Sequence, residues 1–305
     1  KNIIAKHIMQ PGKLFRQAVQ QNKPLQCLGA VNAYSALLAK RAGAQSLYLS
    51  GSGVATASYG LPDLGITNLN DVCIDINRIT SRVPEIPLLV DIDTGFGNAL
   101  SIKRTIEGLI KNGAAACHIE DQEDGNKRCG HRPNKSIVDM NEMLDRLRIA
   151  TKTAKESHID SEFVVMARTD AYANEGFDGL LKRCEQYVSV GGADMLFPEA
   201  LTDLESYYKL NQALGGEVPI LANITEFGKT PLFTKQELYE SGVRIVLYPL
   251  SAHRAMAKAA LTVYESIVQN GHQKDVVGLM QTRDDLYKTL DYHEYEELMD
   301  NLYGK

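Results

Sequence analysis

Eight short apolar runs recur along this chain, each followed by a stretch able to wind as a helix, and that alternation constrains the fold more than any other feature. The runs lie at about 26–31, 46–50, 87–92, 114–120, 163–168, 194–198, 219–223 and 244–248. They are apolar at consecutive positions, as strands buried on both faces are. Helical spacing predicts helices over 36–42, 98–112, 140–156, 176–190, 201–214 and 234–241 between them. Parallel neighbours need such crossovers, and eight repeats predict an α/β fold of the closed (β/α)8 TIM-type barrel kind rather than an open doubly wound sheet. The 305 residues suit a single barrel domain spanning 1–305. Its last part, about 252–305, reads as a C-terminal helical arm with helices over 252–270 and 284–302. That arm either packs on a partner subunit or covers the base of its own barrel.

Polar residues gather where the apolar runs end: Asn32, Ser50, Asp91 and Asp93, Glu120, Arg168 and Asp170, Glu199, and Asn223 with Thr225. One or two polar tips would only mark strand ends. So many acids, amides and hydroxyls, with an arginine, predict an active site on the C-terminal rim of the barrel.

A net charge of −5 gives no footprint for nucleic acid, so no nucleic-acid partner is expected. The five cysteines, Cys27, Cys73, Cys117, Cys129 and Cys184, are odd in number and widely spaced. They predict neither a disulfide framework nor a zinc site, and reduced thiols fit a cytoplasmic compartment. No apolar stretch is long enough to span a membrane, and no signal pattern opens the chain.

Three constellations carry chemistry. In Asp91-Ile92-Asp93-Thr94-Gly95-Phe96-Gly97 the two aspartates are two apart at a strand end and so share a side. With Glu120 on the next tip, and Asp63 in the turn Pro62-Asp63-Leu64-Gly65, they form a set of hard oxygen donors. Such a set suits Mg2+, or Mn2+ in its place, and would repel itself without a cation. Ser50-Gly51-Ser52-Gly53 lacks the third glycine of a dinucleotide fingerprint, since Thr56 stands there, and serves better as a nest of amides and hydroxyls for a carboxylate. Lys127-Arg128-Cys129-Gly130-His131-Arg132 sets a thiol among cations. These favour the thiolate, and a bound anionic substrate opposes them, so Cys129 is poised for proton transfer. The plainer reading of this segment is a solvated basic loop. Arg168, Glu199, Asn223-Ile224-Thr225 and Arg254 add contacts for carboxylates and hydroxyls.

Taken together, these motifs resemble the isocitrate lyase/phosphoenolpyruvate mutase superfamily, and within it the branch that cleaves 2-methylisocitrate. The resemblance rests also on Leu61-Pro62-Asp63-Leu64-Gly65, His118-Ile119-Glu120-Asp121-Gln122, Met166-Ala167-Arg168-Thr169-Asp170, Leu196-Phe197-Pro198-Glu199-Ala200 and Met280-Gln281-Thr282-Arg283. It spans nearly the whole chain. The Lys-Arg-Cys-Gly-His form of the basic segment is its most specific part, and Ser52 departs from the glycine expected there.

The resemblance implies a Mg2+-dependent carbon–carbon lyase that cuts 2-methylisocitrate, a small tricarboxylate, into pyruvate and succinate by retro-aldol chemistry in propionate catabolism. It implies Asp91 and Asp93 as metal ligands, with Asp63 and Glu120 acting partly through water. Cys129 would protonate the succinate carbanion, with Lys127 and His131 beside it and Tyr48 a candidate base. Ser50, Gly51, Ser52, Arg128, Gly130, Arg168, Glu199, Asn223, Ile224, Thr225, Arg254 and Arg283 would hold substrate, and Phe197 and Leu247 would leave room for its methyl group. A homotetramer with C-terminal helices swapped between barrels is also implied. The rivals are an oxaloacetate decarboxylase or isocitrate-type lyase on the same scaffold, a nucleotide-dependent oxidoreductase, and a catalytically silent barrel.

Overall fold

The computed structural model describes residues 10–128 and 135–304. All eight predicted strands form: β1 (Leu25–Gly29), β2 (Ser46–Leu49), β3 (Leu88–Asp91), β4 (Ala116–Glu120), β5 (Val164–Thr169), β6 (Met195–Pro198), β7 (Leu221–Asn223) and β8 (Ile245–Tyr248). They pair in the order β6-β5-β4-β3-β2-β1-β8-β7, and every ladder is parallel. A parallel bridge from Leu196 to Ile220 joins the two ends, with the Leu196 amide donating to the Pro219 carbonyl at 3.0 Å. The sheet is therefore a closed (β/α)8 cylinder without a free edge.

Twelve α-helices accompany it among the described residues: α1 (Pro11–Gln21), α2 (Ala33–Arg41), α3 (Gly51–Gly53), α4 (Leu69–Thr80), α5 (Ala99–Lys111), α6 (Met140–Lys155), α7 (Tyr172–Ser189), α8 (Leu204–Ala213), α9 (Lys235–Glu240), α10 (Ser251–Asn270), α11 (Arg283–Leu290) and α12 (Tyr292–Tyr303). The one-turn α3 runs directly into a π-helical turn, Val54–Ser58. Side-chain caps start many of the helices; Asn98 accepts from the Leu100 and Ser101 amides, and Asp139 from those of Asn141 and Glu142.

Three features depart from the sequence reading. Helices α1 and α4 were not expected. The stretch expected as one helix over 284–302 is two, broken at Asp291, whose φ of 53° is left-handed. No helix among the described residues is long and apolar enough to cross a membrane.

Strand alternation divides the core in two. Outward residues such as Leu47, Val90, Cys117 and Val165 pack against the helices. Inward residues, among them Leu25, Cys27, Leu89, Met166 and Leu221, fill the barrel. Helix α1 plugs its N-terminal end with Phe15, and Gly12 permits this because a Cβ there would lie 2.3 Å from the Glu162 backbone. Toward the other end the same inward faces turn polar, and this change makes the site.

Candidate active site

A cavity of about 340 Å³ opens at the C-terminal rim of the strands. Of the residues singled out from sequence, Tyr48, Ser50, Ser52, Asp63 and Asp91 line one side of it. Lys127 and Arg128 stand above, and Arg168, Phe197, Glu199, Asn223, Thr225 and Arg254 complete the wall. Gly51, Asp93 and Glu120 lie just behind. The Gly51 amide donates to Asp91 Oδ2 at 3.1 Å, and a Cβ on Gly51 would sit 3.2 Å from that oxygen. Leu247 is buried inside the barrel with Phe197, and Ile224 packs into the outer core. Arg283 is exposed at the start of α11 and does not line the cavity. Cys129, Gly130, His131 and Arg132 lie outside the described residues.

The acids at the ends of β3 and β4 are buried and differ sharply. Burial would raise Asp91, but His118, Lys127 and Arg168 outweigh it and hold its carboxyl at about 2. Asp93 is pushed up to about 6 by burial and by the Asp91 charge. It sits at a left-handed φ of 48°, two residues past the end of β3. Burial also drives Glu120 well above the usual carboxylate range.

Lys127 Nζ reaches both Asp63 Oδ1 and Asp93 Oδ1 at 2.6 Å, and these acids hold its ammonium charged against the cost of burial. The contact with Asp93 is an ion pair between two buried side chains. Among the described residues, Asp93 Oδ1 and both Glu120 oxygens are buried without a hydrogen bond. No three His, Cys, Asp or Glu side chains form a ready-made metal cluster among the described residues.

Arg168 is gripped on three sides: Nη1 lies 3.2 Å from Glu120, Nε 3.2 Å from Asp170 and Nη2 3.4 Å from Glu199. Its guanidinium carbon stands 5.2 Å from the Phe197 ring centre. Its orientation is thus fixed before any ligand arrives.

Tyr48 Oη lies 2.9 Å from His118 Nε2 and 3.4 Å from Asp91 Oδ2. Burial lowers His118 to about 4, so it is a neutral imidazole, and burial raises Tyr48, so it is a phenol.

Sequence reasoning gave no role to several residues here. His118 faces inward two positions before Glu120, a spacing that alone could have flagged it. Glu226 accepts from the Ser251 hydroxyl and lies 3.7 Å from Arg254 Nε. Phe227, at a left-handed φ of 62°, is 94% exposed at the mouth, with the Arg254 guanidinium 5.7 Å from its ring centre.

The sequence profile described as phosphoenolpyruvate phosphomutase matches residues 15–268. The 2-methylisocitrate lyase of Vibrio cholerae is 54% identical over 301 residues, covering 97% of this chain and 96% of the relative. Among solved structures, 2,3-dimethylmalate lyase superposes with a TM-score of 0.87 at 31% identity, covering 97% of this chain and 96% of the other. A phosphonopyruvate hydrolase complexed with oxalate and Mg2+ does so with a TM-score of 0.81 at 26% identity, covering 97% and 100%. With this rim of acids and arginine on a closed barrel, the chain belongs to the isocitrate lyase/phosphoenolpyruvate mutase superfamily and, within it, to the 2-methylisocitrate lyase family.

Proposed function

We propose that this chain cleaves 2-methylisocitrate into pyruvate and succinate with Mg2+ bound. The observation that carries the reading is that one rim cavity joins an incompletely hydrogen-bonded set of acids to a pre-oriented arginine. The acids suit a hard divalent cation: Asp93 Oδ1 and the Glu120 oxygens are buried acceptors with no hydrogen bond among the described residues. Asp91 and Asp93 would hold it, with Asp63 and Glu120 behind water. Bound there, Mg2+ would polarise the substrate's hydroxyl and carboxylate oxygens.

The chain's own groups do the rest. Arg168, held in place by Glu120, Asp170 and Glu199, turns a fixed positive charge toward a substrate carboxylate. Asn223, Thr225 and Arg254 hold the substrate's remaining polar arms, and Ser50 and Ser52 offer hydroxyls. Tyr48 is a phenol 2.9 Å from the neutral His118 imidazole, so it relays the substrate's hydroxyl proton by taking it as its own passes to His118. Breaking the carbon–carbon bond leaves an electron pair on the succinate half, and Cys129 delivers the proton that quenches it.

The exposed apolar faces of the C-terminal helices support an oligomer. Tyr264 and Val268 on α10 are 67% and 84% exposed, and Leu302 and Tyr303 on α12 are 74% and 75% exposed. A homotetramer is the assembly proposed, and sedimentation measures it.

A substrate panel tests the function. Purified protein with Mg2+ is given 2-methylisocitrate, isocitrate, oxaloacetate and 2,3-dimethylmalate in turn. The highest kcat/KM for 2-methylisocitrate is expected; a preference for oxaloacetate would assign a decarboxylase or hydrolase instead.

A further inference from the structure

Gln122 holds Arg128 by both of that residue's backbone polar groups. Its Nε2 donates to the Arg128 carbonyl at 3.0 Å, and its Oε1 accepts from the Arg128 amide at 3.0 Å. A carboxamide matched to both groups of one residue fixes that residue's orientation as well as its distance. Gln122 is itself fully buried.

Its backbone is fixed too. Gln122 bridges antiparallel to Ile137, the Glu123 amide donates to the Ser136 carbonyl at 3.0 Å, and the Val138 amide donates to the Asp121 carbonyl at 2.8 Å. The chain on either side of 124–135 is thereby drawn into a closed neck.

The other side of the neck has a matching hold. Asp170, 1% exposed, accepts from the Lys135 ammonium, lies 3.4 Å from Gln122 Nε2 and takes Arg168 Nε at 3.2 Å. Asn174 Nδ2 donates to the Lys135 carbonyl at 2.9 Å. One carboxylate therefore links Lys135, the Gln122 clamp and the arginine of the cavity.

A buried amide used for stability alone could be exchanged for an apolar side chain of like shape at little cost, provided both partners went with it. Here the partners are the backbone of a residue that lines the cavity, one position before Cys129.

We infer that Gln122 and Asp170 are positioning residues of the lyase reaction. Gln122 sets the orientation of Arg128, which lines the cavity, and Asp170 ties this clamp to Arg168. The inference rests on the reading of this cavity as the lyase site.

The test uses the intact assembled protein with saturating Mg2+ and compares Gln122→Met, Gln122→Glu and Cys129→Ser with wild type. Gln122→Met keeps the side-chain length and removes both hydrogen bonds to Arg128 and the one to Asp170; Gln122→Glu keeps the acceptor and loses the donor. Two quantities are read: kcat and KM for 2-methylisocitrate, and hydrogen exchange at the Arg128 amide. For Gln122→Met we expect kcat to fall about 10- to 100-fold with KM within about 3-fold, the signature of lost positioning. The Arg128 amide should exchange about 10-fold faster or more. Gln122→Glu, which sets a carboxylate against Asp170 and the Arg128 carbonyl, should lose at least as much as Met in both readouts. Unchanged exchange would remove the clamp, and faster exchange with unchanged kcat, or a rise in KM alone, would remove its role in positioning. If Gln122→Met fails to fold, Gln122→Glu carries both readouts. Wild-type turnover by Cys129→Ser would overturn the role of Cys129 while leaving the exchange result to judge the clamp by itself.

Discussion

Asp93→Asn should make the metal-free protein more stable. Asp93 is 6% exposed, so solvent screens its charge little. Its carboxyl is raised from 3.8 to about 6, a value that already includes the favourable pull of Lys127. At about 1.4 kcal/mol for each tenfold, holding the ionised form in place costs about 3 kcal/mol. The sign follows from a folded-state value above the unfolded one: Asp93 favours the folded state below about pH 3.8, and that contribution is lost as pH rises through about 6. Asparagine mimics the neutral form and tolerates the left-handed backbone at this position. In urea unfolding with a chelator present, at fixed protein concentration, the variant should gain about 3 kcal/mol above pH 7, and about half of that near pH 5. It should also lose Mg2+-dependent turnover. A variant no more stable than wild type at pH 8, or a gain independent of pH, would refute the reasoning.

Two further outcomes follow from packing. Phe197→Trp enlarges a side chain wedged against His118 and Arg168, so kcat/KM for 2-methylisocitrate should fall relative to isocitrate by about 10- to 200-fold in paired assays, as crowding one methyl group allows. Gly29→Ala would place a Cβ 1.8 Å from the Pro249 carbonyl oxygen, where β1 passes the end of β8. It should destabilise the barrel by about 1–3 kcal/mol or more in the same urea assay.

The barrel was legible because strands buried on both faces announce themselves as unbroken apolar runs, and Leu88–Asp91 and Val164–Thr169 need no tertiary information to be read. Helix α4 was missed although Leu69, Val72, Ile76 and Ile79 lie on one face, because polar residues between them dilute the pattern. In helix α1 only Gly12, Phe15 and Val19 are buried, too few to mark an apolar face. The break at Asp291 depends on a backbone conformation that composition does not reveal. The rim acids were legible as strand tips. Their partners were not: that Lys127 joins Asp63 to Asp93, or that Asp121 takes the Tyr187 hydroxyl at 2.8 Å deep beneath the rim, depends on where side chains point after the barrel closes. Ile224 and Arg283 show the same limit, since a motif gives a residue's place in the chain and not the direction it faces.

The most direct test of the account is the product stoichiometry of 2-methylisocitrate cleavage in D2O with Mg2+ present, followed by NMR and mass spectrometry. Pyruvate and succinate should form in equal amounts, with one solvent deuteron in the succinate, and neither product should come from Cys129→Ser in the same time. Pyruvate without succinate, or succinate formed at the wild-type rate by Cys129→Ser, would contradict it.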